Sequence, residues 1–184
     1  MEFVALIVAI HDQLDRAEIA HAFGGALALG YVAEPRGTVD IDLNVFLAPD
    51  ALGPVTVALE VLGFGRSTAN GDAPPIAGIR FDHPDHPFPV DVFPALHERY
   101  GEIERRRVFH RFGRDGDVLP FLSAEDLCVF KLSFGRPKDW VDLQAVASFR
   151  PELDLDYIQD QLVALRGPTM YPRVARLRSF LRRP

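Results

Sequence analysis

The stretch Asp40-Ile-Asp42-Leu-Asn-Val45, reached from Gly24-Gly25 through a short helix-like run, constrains this chain more than any other. On a strand, residues i and i+2 share a face about 6.6 Å apart, so Asp40 and Asp42 point one way while Ile41, Leu43 and Val45 turn to an apolar side. Two like charges so close repel, and a fold that keeps both needs a cation near them. Divalent ions about 3.5 to 4 Å apart suit such a pair and stabilise in-line displacement at phosphorus.

The rest of the sequence alternates helical and extended patterns. Apolar Phe3, Leu6, Ile7, Ile10 and Leu14 recur at three- and four-residue spacing, which predicts an amphipathic helix from Glu2 to about Ala20. His21 to Phe23 reads as a short strand entering the glycine turn, and Ala26 to about Val32 as a helix broken by Glu34-Pro-Arg-Gly37. A second helix is expected over Ala51 to Leu62, a surface loop over Ser67 to Pro75, and strands over Ile76 to Phe81 and Phe88 to Phe93. Val108 to Phe112 and Val118 to Leu122 flank Gly113-Arg-Asp-Gly116 as a hairpin. Beyond it the pattern is helical: Ala124 to Phe134, Pro137 to Ala147, Leu155 to Leu165 and Tyr171 to Leu181. The expected class is α/β (α+β), a mixed sheet flanked by helices and followed by a helical C-terminal part.

A chain of 184 residues, 48% of them hydrophobic, is large enough for one good core. It has no run of about 20 apolar residues and no basic start with a small-residue cleavage site, so a cytoplasmic protein without membrane contact is expected. The one cysteine, Cys128, lies in an apolar helical pattern and reads as packing. The net charge of −6 argues against a protein that coats nucleic acid by neutralising phosphates. Arg105-Arg106-Arg107 with Arg111 and Arg114, and the C-terminal arginines from Arg173 to Arg183, form local basic clusters that read as solvated faces or as surfaces for an acidic partner or tRNA.

Gly24-Gly25, the helix, and Asp40-Ile-Asp42-Leu43 together resemble the mark of the DNA polymerase beta-like nucleotidyltransferase superfamily. Arg36-Gly-Thr38 before the aspartates, and Leu122-Ser-Ala-Glu-Asp-Leu127, Lys131 and Gly135-Arg-Pro-Lys-Asp-x-x-Asp142 after them, are similar to the small bacterial members, including the abortive-infection toxin type. The resemblance implies a nucleotidyltransferase-like core over residues 1–122 and a helical part, 123–184, packed on it. It implies Mg²⁺ or Mn²⁺ held by Asp40, Asp42 and a third carboxylate from a neighbouring strand, with Asp91 the choice and Asp82 the runner-up.

A nucleoside triphosphate such as ATP would be the co-substrate. Gly24 and Gly25 would admit its phosphate oxygens to backbone N–H groups at a helix N-terminus. Lys131 would face the phosphates, against the alternative of a snorkelling surface lysine. Arg36 and Thr38 either meet phosphate or brace their loop, and the arginine alternatively neutralises the aspartates. Ser123 and Asp126 read as a helix cap. Pro137 at a helix start would gather Arg136 and Lys138 in one cationic corner, with Asp139 and Asp142 explained by the helix dipole or by Arg136. Tyr31, Phe93 and Tyr100 are candidates to stack on a base. His83 and His86 lack the further ligands of a tetrahedral site and read as a polar rim.

The expected activity is transfer of a nucleoside monophosphate to a hydroxyl on a protein, an RNA end or a small molecule, with a toxin–antitoxin pair as one setting for it. The competing expectation is a non-catalytic module that binds nucleotide or a protein partner on the same fold.

Overall fold

The computed structural model describes residues 2–68 and 78–181. Helix α1 (Phe3–Arg16) buries Leu6, Ile7, Ile10 and Leu14, the stripe its spacing predicts, and ends four residues before the expected Ala20. Strand β1 (His21–Phe23) leads through Gly24 into α2 (Gly25–Val32), and β2 (Ile41–Val45) follows. Asp40 therefore precedes the strand that was expected to contain it. A turn of 3₁₀ helix at Pro49–Ala51 interrupts the expected Ala51 to Leu62 helix, because the pair Gly53-Pro54 restarts it as α3 (Gly53–Val61).

Then come β3 (Gly65–Arg66), β4 (Ile79–His83), β5 (His86–Phe93), α4 (Tyr100–Arg105), β6 (Val108–Phe112) and β7 (Asp117–Phe121). The expected Ser67 to Pro75 loop and the start of the Ile76 to Phe81 strand fall mostly outside the described residues. Four helices close the chain: α5 (Ala124–Phe134), α6 (Pro137–Phe149), α7 (Leu155–Arg166) and α8 (Tyr171–Leu181).

The strands form one mixed sheet in the order β3-β4-β5-β2-β1-β7-β6. β2 runs antiparallel to β1 and parallel to β5, with Asp42 opposite Asp91 and Asn44 opposite Phe93. β4 pairs antiparallel with β5 and puts Arg80 opposite Asp91. Since cross-strand partners share a face, Arg80, Asp91 and Asp42 stand in one row across three strands.

The alternate residues Ile41, Leu43 and Val45 are fully buried in the opposite layer with Val90 and Val92. A single hydrophobic cluster joins this layer to Leu6 of α1, Leu127 of α5 and Leu177 of α8, so the C-terminal helices share the sheet's core. α5 is bounded as its residues dictate: Ser123 Oγ accepts from the Asp126 N–H at 3.1 Å, and Gly135 takes the left-handed conformation at φ 65°. Cys128 is buried in that helix and its thiol is pushed up to about 12 by the loss of solvation. No described helix is long and apolar enough to cross a membrane.

Candidate active site

A cleft opens where the row of charged residues meets the N-terminus of α2 and the start of α6. Asp40, Asp42, Asp91, Gly25, Lys131 and Lys138 all line it. The order of strands explains the convergence. β2 and β5 are neighbours and parallel, so their aspartates fall in register, and the tight turn at Gly24-Gly25 delivers α2 against the same end of β2.

The glycines are required here by contact. The Gly24 N–H donates to the Asp42 carbonyl at 2.9 Å. Gly25 sits at φ +52°, and a Cβ on it would lie 1.6 Å from Asp42 Oδ2. The Asp42 carboxylate thus packs directly on the Gly25 backbone, beneath the unpaired N–H groups and positive dipole end of α2. A Cβ on Gly24 would come within 2.7 Å of Asn44 Nδ2.

Burial lifts the Asp42 carboxyl to about 6, with the Asp91 charge adding to the rise and Lys131 opposing it. Asp91 is raised as well, by burial first, and Arg80 opposes the shift. Two neighbouring carboxyls that resist ionisation together mark a place that favours an added cation. Their oxygens, with those of Asp40, are the hard donors that Mg²⁺ or Mn²⁺ prefers. That chemistry fits a divalent ion, although among the described residues no three His, Cys, Asp or Glu side chains stand together closely enough to hold one as they are placed. A guanidinium lies there: Arg80 reaches Asp91 at 3.4 Å, Asp40 at 3.6 Å and Asp82 at 3.3 Å. Asp82 is bound outside the cleft, at a shallow recess beside Gly65 and Arg66.

Lys131 is neither a snorkelling lysine nor a free cation. It is buried and donates to Asp142 Oδ2 at 2.6 Å. Arg36 grips the same carboxylate with two hydrogen bonds of 2.9 Å each. Burial alone would raise Asp142, but these donors outweigh it and hold the acid below its ordinary range. Asp142 is thus explained by Arg36 and Lys131, not by Arg136 or the helix dipole, and it ties the loop before β2 to α5 and α6. Thr38 lines the cleft and donates to the Asp40 carbonyl at 3.1 Å. Asp139 does pair with Arg136, at 2.8 Å, and accepts from its N–H.

Lys138, exposed at the first turn of α6, lines the cleft, and its charge is felt by both Asp42 and Asp91. Among the described residues it is the cleft lysine left without a carboxylate partner in hydrogen-bond range. Phe93 faces the cleft beside Phe134, their rings edge to face at 6.0 Å. The other two aromatic candidates lie elsewhere. Tyr100 is buried in the core, and Tyr31 stacks on His110 at 4.3 Å.

Sequence reasoning missed three residues. Asn44 continues the face of Asp42 by one more i+2 step, lines the cleft, is 3% exposed, and has a buried Oδ1 that accepts no hydrogen bond. That step was readable from spacing alone. Arg80 and Phe134 carried no such signal. His83 and His86 stand side by side at the β4–β5 turn, ring centroids 4.3 Å apart.

Asp142→Asn is expected to leave the buried Lys131 ammonium without its counter-charge. Breaking buried pairs costs about 3–5 kcal/mol, and with Arg36 39% exposed and one acceptor kept, about 2 kcal/mol of stability should be lost. Urea unfolding of the purified variant measures it.

No family model and no curated protein sequence matches the chain, whereas its fold has clear counterparts among solved structures. The antibiotic-resistance factor ANT(2'')-Ia, determined in solution, aligns over 96% of this chain and 95% of its own with a TM-score of 0.62 at 18% identity. An antigenic nucleotidyltransferase-like protein from Paracoccidioides brasiliensis aligns over 97% of this chain and 91% of its own, with a TM-score of 0.58 at 18% identity. The lincosamide antibiotic adenylyltransferase LnuA aligns over 81% of this chain and 98% of its own, with a TM-score of 0.51 at 13% identity. The chain has the nucleotidyltransferase fold.

Proposed function

We propose that this chain is a metal-dependent nucleotidyltransferase that moves a nucleoside monophosphate from a triphosphate, ATP by preference, to a hydroxyl group of a small molecule. The observation that carries the reading is the register of Asp42 with Asp91 on adjacent parallel strands, beside a helix N-terminus whose glycine touches one of the carboxylates. Phosphoryl-group transfer needs placement and charge cancellation more than covalent help from the protein. Asp40, Asp42 and Asp91 would hold Mg²⁺ or Mn²⁺, which supplies charge neutralisation at the triphosphate and lowers the acidity barrier of the acceptor hydroxyl.

The chain's own groups do the rest. The N–H groups of Gly25 and Ala26 at the start of α2 receive phosphate oxygens, and Lys138 is the cation free to meet them. Lys131 and Arg36 share the single carboxylate of Asp142, so the three brace the site and leave one net positive charge at its wall. Phe93 and Phe134 offer an apolar wall for the base. The acceptor oxygen attacks the α-phosphorus, the bond to the β,γ-diphosphate breaks, pyrophosphate leaves, and the hydroxyl proton passes to Asp91.

The small-molecule acceptor and ATP rest on two of the fold's counterparts, one crystallised with adenylyl-2''-tobramycin and the other with lincomycin. A tRNA or protein acceptor, as in a toxin–antitoxin pair, has in its favour the resemblance carried by Arg36-Gly-Thr38, Leu122 to Leu127, Lys131 and Gly135 to Asp142. Several of the described arginines expected to meet such a partner are engaged within the chain. Arg106 pairs with Glu125 and Asp126, Arg173 caps the Leu132 and Ser133 carbonyls, Arg176 lies over Trp140 and Arg178 pairs with Asp156.

Incubation with α-labelled ATP, Mg²⁺ or Mn²⁺, and a panel of polyhydroxylated antibiotics and cell metabolites tests the reading. Labelled product and pyrophosphate are expected from the wild type, and at least about 10²-fold less from Asp91→Asn, the usual loss on removing a general base. No label transfer to any hydroxyl compound, with pyrophosphate at background, would remove the assignment.

A further inference from the structure

Arg80 is unlike the other arginines that meet carboxylates around the cleft. Arg36 and Arg136 each commit to one acid, Arg36 through two contacts of 2.9 Å and Arg136 through contacts of 2.8 and 3.2 Å, and the shortest of these have the length of strong charge-assisted bonds. Arg80 divides one guanidinium among three acids at 3.3–3.6 Å and is 32% exposed. Two of its partners, Asp40 and Asp91, line the cleft; the third, Asp82, stands two residues along the same strand, is 52% exposed and lines the separate recess beside Gly65 and Arg66. The guanidinium thus rests between an inner pair of carboxylates and an outer one, bound tightly to neither.

We propose that Arg80 is a displaceable internal cation. It neutralises Asp40 and Asp91 while no metal is bound and withdraws onto Asp82 when a divalent ion takes those oxygens. The inference rests on the transferase reading of the cleft and deepens it. A monovalent charge spread over a planar fork competes weakly with a compact divalent ion for carboxylate oxygens, and the Nε contact to Asp82 gives the displaced side chain a partner without a change of backbone. Arg80 is in this account a positioning residue that sets the metal affinity. It touches no substrate.

The test uses the full chain and Mn²⁺ alone as probe. Arg80→Gln is expected to bind Mn²⁺ roughly tenfold more tightly than wild type, the equivalent of one to two partly exposed ion pairs, as read by electron paramagnetic resonance of the free ion. Arg80→Lys keeps the charge but loses the three-way fork, and is expected to bind a few-fold more tightly; an effect of charge through space would leave it at the wild-type value. The Arg80 Nε–H resonance, identified by its loss in Arg80→Lys, should shift on titration with Mg²⁺ while those of Arg36 and Arg136 stay in place. Unchanged or weaker Mn²⁺ binding by Arg80→Gln, a wild-type value for Arg80→Lys, or an unmoved Arg80 resonance at saturating Mg²⁺ overturns the inference. It does so without touching the transferase reading, provided that Asp42→Asn abolishes the binding seen in wild type. Absence of Mn²⁺ binding by the wild type overturns both.

Discussion

Asp42→Asn is expected to lose transferase activity by at least about 10³-fold and to become more stable in the same step. The first effect follows from removing a charge that no neighbour replaces, since preorganised charge stabilisation is commonly worth about that much in rate. The second follows from the environment of the carboxyl. Asp42 titrates near 6 in the folded chain, above the ordinary 3.8, so between those values the folded state holds a proton that the unfolded state has lost. Stability therefore falls as pH rises from about 4 to about 6 and stays reduced above it, by about 1–2 kcal/mol once solvent in the open cleft is allowed for. An asparagine of the same shape carries no such penalty. In EDTA at pH 8 the variant should melt a few degrees above the wild type, at about 2–4 °C per kcal/mol for a chain of this size. At pH 4 the gap should close. At pH 8 added Mg²⁺ should raise the wild type alone, because only it gains binding free energy in the folded state. Thermal scans of both proteins under these three conditions check the whole pattern.

Gly25→Ala is expected to be the most damaging small substitution in the chain. A left-handed residue with a side chain costs about 1–2 kcal/mol, and forcing a methyl into a packed contact about 1–3 more, which places the loss at about 3–4 kcal/mol. Here the added carbon would fall 1.6 Å from Asp42 Oδ2, so either the carboxylate leaves the floor of the cleft or α2 shifts off the sheet. Activity should vanish in both cases. A double-mutant cycle separates the two contributions: in an Asp42→Ala background the steric part is relieved and the cost of Gly25→Ala should drop toward the conformational 1–2 kcal/mol. Chemical denaturation of the four proteins gives the coupling. Equal costs in both backgrounds would mean that the glycine serves the turn and not the carboxylate.

What was legible in the sequence was what depends on near neighbours. Ser123, Asp126 and Gly135 punctuate α5, and both of its ends were readable because capping is a local hydrogen-bond matter. Asp42 could be placed on the polar face because strand geometry fixes alternate residues, whereas Asp40, one residue before β2, lines the cleft without lying on the strand; the choice of Asp91 put a further carboxylate on a strand that turned out to be the next in the sheet. The same rule applied once more would have reached Asn44. Helix α4 was missed because its six residues bury only Tyr100 and Ile103, too few for a period, and β3 because it has two residues.

The partners of Arg36 and Lys131 were invisible for a different reason. Asp142 lies 106 residues from Arg36 in the chain, and no local pattern says which of several acids a cation will meet. Arg80 is similar: its place opposite Asp91 is set by the β4–β5 register, which includes an irregularity between Phe81 and His83. Local physics located the acids, whereas the tertiary pairing decided which cations attend them.

The most direct test of the central claim is a crystal soaked with Mn²⁺ and a non-hydrolysable ATP analogue, with the metal located by anomalous scattering. Manganese bonded to Asp42 together with Asp40 or Asp91, and triphosphate oxygens at the Gly25 end of α2, is the predicted result. Manganese bound away from these aspartates, or nucleotide seated outside the cleft, would contradict the account.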